Sequence, residues 1–181
     1  MSKLLSNRLS RLLTASLIVI VLGACSSPAN REAMRPTDMA INKHFPYALH
    51  VKTGGGAETG AMDSSNIADA DLKAAIEDAV TQSKLFKSVV QGSDGDYELS
   101  VSVTSLNKPV FGGTFTVDME TAWSLVKLSD KKVVMQRSVK ASGTATMGDA
   151  FAAVTRLRLA VEAAARNSIS EGLQAIAGLN L

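Results

Sequence analysis

The chain has 181 residues, with 19 Lys and Arg against 17 Asp and Glu, two His, one Cys, 46% apolar and only 4% aromatic residues. Lys3, Arg8 and Arg11 fall in the first 24 residues, so the remainder carries 16 basic against 17 acidic residues, a net charge of −1. That balance excludes a basic nucleic-acid surface, and the lone cysteine excludes an internal disulfide framework. The length allows one domain with a real core.

The basic leader is followed by an almost unbroken apolar run from Leu12 to Leu22, then Gly23, Ala24 and Cys25. This is the layout of a secretory signal peptide, and the run is shorter than the roughly 20 apolar residues a spanning helix needs. Leu22-Gly23-Ala24-Cys25 resembles the lipobox of bacterial lipoproteins. The resemblance implies that residues 1–24 are removed and that the Cys25 sulfur is acylated, with palmitate among the chains. More than one chain makes such an anchor stable. Ser26 and Ser27 follow, where an aspartate would imply retention in the inner membrane. The implied address is the periplasmic side of a Gram-negative outer membrane, with the membrane itself as partner through the lipid.

Residues 25–43 read as the lipidated N-terminus and a flexible tether, broken by Pro28 and by the turn signal Arg35-Pro36-Thr37-Asp38. A single domain is expected over 44–181. Tyr47, Leu49 and Val51 alternate with Ala48, His50 and Lys52, the period of a half-buried strand. The glycine-rich loop from Gly54 to Gly60 lacks a following Gly-Lys-Ser/Thr, so a mobile loop accounts for it better than a phosphate cradle. Asp69 can cap a helix in which Leu72, Ala75, Ile76, Ala79 and Val80 form one apolar stripe. Leu85 and Phe86 are expected to fold back over the core as that helix ends.

Tyr97, Leu99, Val101 and Val103 then alternate with polar neighbours. After a reversal at Asn107-Lys108-Pro109 and Gly112-Gly113, Phe115, Val117 and Met119 resume the period through Trp123 and Leu125. A second reversal at Ser129–Lys132 leads to Val133, Met135, Val139 and Ala141 on one strand face. Short connections predict antiparallel pairing. The last helix is expected from about Asp149 to Ala177, with Ala150, Val154, Leu157, Val161, Ala164 and Ala165 on its core side, a Glu162–Arg166 pair, and Gly178 as its stop. The expected fold is α+β: strand, helix, three strands, helix, in a two-layer sandwich with a mixed sheet and both helices on one face.

Together with the lipobox, the stretches Asp71-Leu72 through Leu85-Phe86, Tyr97-Glu98-Leu99, Pro109-Val110-Phe111-Gly112, and Asp149-Ala150-Phe151 with Arg156-Leu157-Arg158-Leu159-Ala160 make the chain similar to small envelope lipoproteins of the YajG type. More loosely, it resembles the strand-helix-strand cores of LptE-like and CsgG-like lipoproteins. The resemblance implies an accessory or binding role in the envelope and supplies no catalytic motif.

The residues carry little chemistry. His44 and His50 lack the companions of a metal site and are expected to be solvated. No Gly-x-Ser-x-Gly elbow occurs, and Asp118 and Glu120 read as a solvent face of alternating charges. No metal or other cofactor is expected. The contact residues expected for an envelope protein partner are Phe111, at a hairpin tip, and Leu159, Arg166 and Leu173 on the outer side of the last helix. The leading reading is a non-enzymatic, membrane-anchored binding protein. The alternatives are a lipid or glycan carrier with a pocket between sheet and helices, and a hydrolase.

Overall fold

A computed structural model describes residues 27–61, 63–92 and 94–181. The leader and Cys25 lie outside the described residues, and so does the acylation expected there. In chain order the elements are α1 (Arg31–Met34), β1 (Phe45–Gly54), α2 (Asp69–Ser83), β2 (Phe86–Val90), β3 (Tyr97–Asn107), β4 (Phe115–Lys127), β5 (Lys132–Ala145) and α3 (Ala153–Ala177). They form one mixed sheet in the order β2-β1-β3-β4-β5, with α2 and α3 on the same face. The α+β reading and the one-sided placement of the helices therefore hold.

The alternation read in β3 and β4 becomes two faces of different chemistry. Leu99, Val117 and Leu125 have no exposed surface and Val101, Met119 and Trp123 almost none, whereas Ser102, Thr104, Thr116, Asp118 and Ala122 look outward. β3 runs antiparallel to β4, and β4 to β5. A bulge in β5 pairs Met135 with Leu125 but Val133 with Val126, so Val134 is the extra residue. That shift turns Val133 to solvent at 53% exposure, off the face it was expected to share with Met135.

One strand is not legible in the sequence. Phe86 begins β2, which pairs parallel with β1 at the sheet edge. Leu85 and Phe86 are buried, as expected, but the chain continues as a strand instead of merely covering the core. Only five residues long, with Lys87 and Ser88 exposed, it carries almost no alternation to read. The turn into it is made by Lys84, in the left-handed region at φ 54° as the C-cap of α2. At this end of the sheet Phe45, Phe86, Tyr47 and Tyr97 form a chain of tilted ring contacts with centroids 5.1–6.4 Å apart.

The helices seat more tightly than their stripes alone require. A Cβ on Gly143 in β5 would collide with the backbone of Ala160 and Ala164 in α3. On α3, Gly172 lies flat against the indole of Trp123. That indole Nε1–H donates to Thr121 Oγ1 at 2.8 Å, and Thr121 shares a hydrogen bond of 2.7 Å with Ser168, so these buried polar atoms satisfy one another. The space reserved for a lipid or glycan pocket between sheet and helices is thus filled by the core. α3 begins at Ala153, four residues later than expected, because Asp149 accepts from the backbone N–H and hydroxyl of Thr146 and closes a turn there. Gly178 ends the helix as expected.

The largest departure concerns the tether. Ala29 is 4% exposed and Met34 not at all, and α1 packs on both α2 and α3. Asn30 caps α1 by accepting from the N–H groups of Glu32 and Ala33. Its own N–H donates to the buried Glu162 carboxylate at 2.9 Å. Arg166 donates to the Ala33 carbonyl at 2.7 Å, and Arg31 forms a two-pronged pair with Asp78, both contacts 2.7 Å. The expected Glu162–Arg166 pair therefore does not form; Glu162 takes Arg158 at 2.8 Å and Arg166 holds the strap. Residues 27–36 are part of the domain, because an apolar methionine and a capped turn gain more by closing the groove over the helices than by remaining solvated.

The strap responds to acid. The Arg31 hydrogen bond holds the Asp78 carboxyl below the usual carboxylate range. A depressed carboxylate stabilises the fold above its unfolded pKa, near 4, and loses that contribution as pH falls through its folded value. Wild type is expected to exceed Asp78→Asn in urea midpoint at neutral pH, with the gap closing as the pH falls below the unfolded value and through the lower folded one. Equal midpoints at neutral pH would show that the pair contributes nothing.

Candidate functional site

Strand directions bring six element ends, joined by three connections, to one end of the domain. β1 and β3 are parallel and finish there, β4 starts there, β5 finishes there, and α2 and α3 start there. The glycine-rich stretch expected to be a mobile loop is tied down at Gly56, Ala57 and Thr59. Gly56 N–H donates to Asp69 Oδ1 at 2.8 Å, Ala57 N–H to the Ile67 carbonyl, and Asn66 N–H to Thr59 Oγ1. Asp69 is consequently not the cap of α2; Ala68 holds that position without a side-chain bond. Gly55 is required where it stands, at φ 76° with its α-carbon against the Val103 backbone.

The strap enters at this end. Ser65 Oγ donates to the Ser27 carbonyl at 2.6 Å. Lys108, at the base of the β3–β4 hairpin, turns inward and donates to the Ser65 carbonyl at 3.0 Å and to Asn66 Oδ1 at 2.6 Å. Its burial lowers the ammonium pKa, partly offset by Asp63.

The hairpin tip and the β5–α3 connection are joined by Arg156, which is 5% exposed. Its guanidinium donates to the carbonyls of Ala150, Phe151 and Gly112 and lies 5.2 Å from the centroid of the Phe115 ring. Among the described residues its partners are these carbonyls and no carboxylate, and its Nε is buried without a partner. Around this staple stand Val110 at 91%, Phe111 at 87%, Met147 at 56% and Phe151 at 88% exposure. Among the described residues five large apolar side chains are exposed, and of these only Val133 lies elsewhere.

Phe111 is the one predicted contact residue that stands free. Leu173 has no exposed surface, Leu159 is half-buried against the core, and Arg166 is spent on the strap. The outer row expected on α3 does not exist: Leu173 belongs to the core, Leu159 packs against it, and α1 takes Arg166. Met147, Phe151 and Arg156 were missed as site residues. Phe151 reads as part of a helix, and nothing local marks Arg156 as a bridge to Gly112, 44 residues away.

The chemistry weighed for a hydrolase is dispersed. His44 Nδ1–H donates to the Lys84 carbonyl at 2.6 Å. His50, expected to be solvated, is 6% exposed, with Nδ1 3.3 Å from the Val90 carbonyl across the β1–β2 pair. Each ring thus gives Nδ1 to a main-chain carbonyl, not to an orienting carboxylate. Asp118 and Glu120 share the open sheet face and border a shallow concavity of about 330 Å³ with Ser105, Asn107, Lys140 and Ser142. Glu120 accepts from Ser138 at 2.7 Å and lies 3.9 Å from Lys140. This is the polar, charge-alternating face expected from the sequence.

The class is a two-layer α+β domain with a strapped N-terminus and an apolar end. Solved structures with this fold include a Xanthomonas campestris protein of family DUF330, 17% identical, with TM-score 0.59 over 80% of this chain and 92% of that one. A Chlamydia trachomatis protein is 7% identical, with TM-score 0.56 over 74% and 97%. PelC from Paraburkholderia phytofirmans, a dodecamer in its crystal, is 13% identical, with TM-score 0.52 over 81% and 97%. These likenesses show the fold. No protein-family model matches the sequence, and no curated protein matches it by sequence.

Proposed function

We propose that this protein is a lipid-anchored component of the bacterial envelope, held at the periplasmic side of the outer membrane, that acts by binding in envelope assembly, transport or maintenance. The observation that carries the reading joins sequence to structure. The lipobox ends at Cys25, and the Ser27 carbonyl two residues later is already bonded into the domain. Two residues span at most about 7 Å, so the acylated sulfur would sit against the folded module with no long spacer. The open sheet face runs away from that end and offers a partner a polar surface of hydroxyls, Asp118, Glu120 and Lys140. The filled interlayer supports binding at this surface over a carrier pocket.

Intact-mass measurement on protein extracted from membranes tests the anchor. The expected mass is the chain from Cys25 plus three acyl chains, and Cys25→Ser should retain its leader and leave the outer-membrane fraction. An unprocessed Met1 start in the wild type, or a bare thiol at position 25, overturns the reading. Crosslinking in intact cells from Lys140 then identifies the partner; capture of none would reject the open face as its surface.

A further inference from the structure

We infer that the apolar end is a second membrane contact, with Val110, Phe111, Met147 and Phe151 entering the same leaflet that holds the acyl chains. The inference rests on the anchoring proposed above. Among the described residues, four large apolar side chains are more than half exposed at one end of the domain, whereas the other large apolar residues, Val133 apart, are buried or half-buried. Such a concentration marks a contact surface, not the scattered exposure usual on a monomer.

The surface is built, not accidental. Arg156 is buried at the cost of an unpartnered Nε, and what it achieves is to tie the Gly112 carbonyl to those of Ala150 and Phe151. Gly113 is close enough to the Met147 sulfur that a Cβ there would lie 3.5 Å from it. The hairpin tip and the β5–α3 connection are thereby presented together, before any contact is made.

The occupant follows from where the chain leaves the described structure. Ser27 is bonded to Ser65, and the Ser65 carbonyl to Lys108, two residues before Val110. With two residues from Ser27 to Cys25, the lipid cannot reach the far end of the sheet; it must enter the leaflet beside this tip. The basic groups here are withdrawn, Lys108 by turning inward and Arg156 by burial, and the charges left exposed at this end, Glu58, Asp63 and Asp149, are acidic. The contact is therefore apolar insertion, not attraction to anionic headgroups.

The test uses the lipidated protein in vesicles of phosphatidylethanolamine and phosphatidylglycerol. Acylation of Cys25 leaves Phe111→Cys, Phe151→Cys and a control, Ser129→Cys, each with one free thiol for a nitroxide. Ser129 lies at the opposite, β4–β5 end. Labels at 111 and 151 should be several-fold more accessible to oxygen, and less to a water-soluble nickel chelate, than the label at 129. A label at Met147→Cys should return to water in the Phe111→Glu/Phe151→Glu variant, whose exposed substitutions leave the fold intact. Equal nickel accessibility at all three sites overturns the inference, as does protection seen in cells but not in vesicles, which would assign the surface to a protein. Intact mass on the same preparation separates the two claims. Acylated protein with wet labels rejects only the second contact, whereas unacylated protein rejects the anchor and this inference with it.

Discussion

Replacing Gly143 by alanine should destabilise the domain by about 3 kcal/mol, at the upper end of what one misplaced methyl costs in a packed core. The sign is the informative part. Alanine in place of glycine inside a strand ordinarily gains about 0.5–1 kcal/mol by restricting the unfolded chain. Here the added carbon meets the main chain of Ala160 and Ala164, and no rotamer change can move backbone aside. α3 must lift off the sheet, opening contacts along Leu157, Val161 and Ile169. Gly172→Ala should also reverse the usual helix gain of about 1 kcal/mol, since its methyl would press on an indole fixed by Thr121. Gly54→Ala is the control: its nearest neighbour would be Ser102 Oγ at 3.6 Å, ordinary contact. Urea midpoints at constant slope read all three. A neutral Gly143→Ala would mean that α3 does not seat directly on β5.

Met34→Ala should cost about 2–5 kcal/mol, the range for truncating a fully buried methionine. A flexible tether predicts no change, since exposed substitutions stay within about 0.5 kcal/mol. Glu32→Ala, on the exposed side of the same short helix, supplies that baseline. For a domain of this size each kcal/mol moves the melting temperature by about 2–4 °C, so thermal unfolding resolves the difference easily. If Met34→Ala melts with wild type, the strap is not part of the cooperative unit. Its position also matters for function: a closed strap brings the domain against the membrane, whereas a free one would let it range over roughly 23 Å.

The strap and the apolar end share a reason for being hard to read. Asn30 meets Glu162 across 132 positions and Arg166 meets Ala33 across 133. A helical wheel for α3 leaves Arg166 on an open side because the wheel contains no α1. The same wheel offers Glu162 two arginines at the correct spacing, Arg158 and Arg166, and cannot choose between them. His50 reads as outward because it alternates with Leu49 and Val51, and pairing with β2 then buries that edge of the outer face. Phe111 could be found because Pro109 and Gly112 bracket it in a reversal. Phe151 could not, since a turn closed by Asp149 and Thr146 looks locally like the start of a helix.

What the sequence determined by itself is everything carried by a short-range period or motif. The lipobox resemblance, the two-residue alternation of β3 and β4, the stripe of α2 and the α+β order all depend on neighbours a few positions apart, and each is readable without a partner. The tertiary structure alone decided the fifth strand, the packed strap, the partner of each buried charge and the convergence of Phe111 with Phe151. Those depend on which surfaces meet after collapse, when contacts between distant residues fix what local preference leaves degenerate.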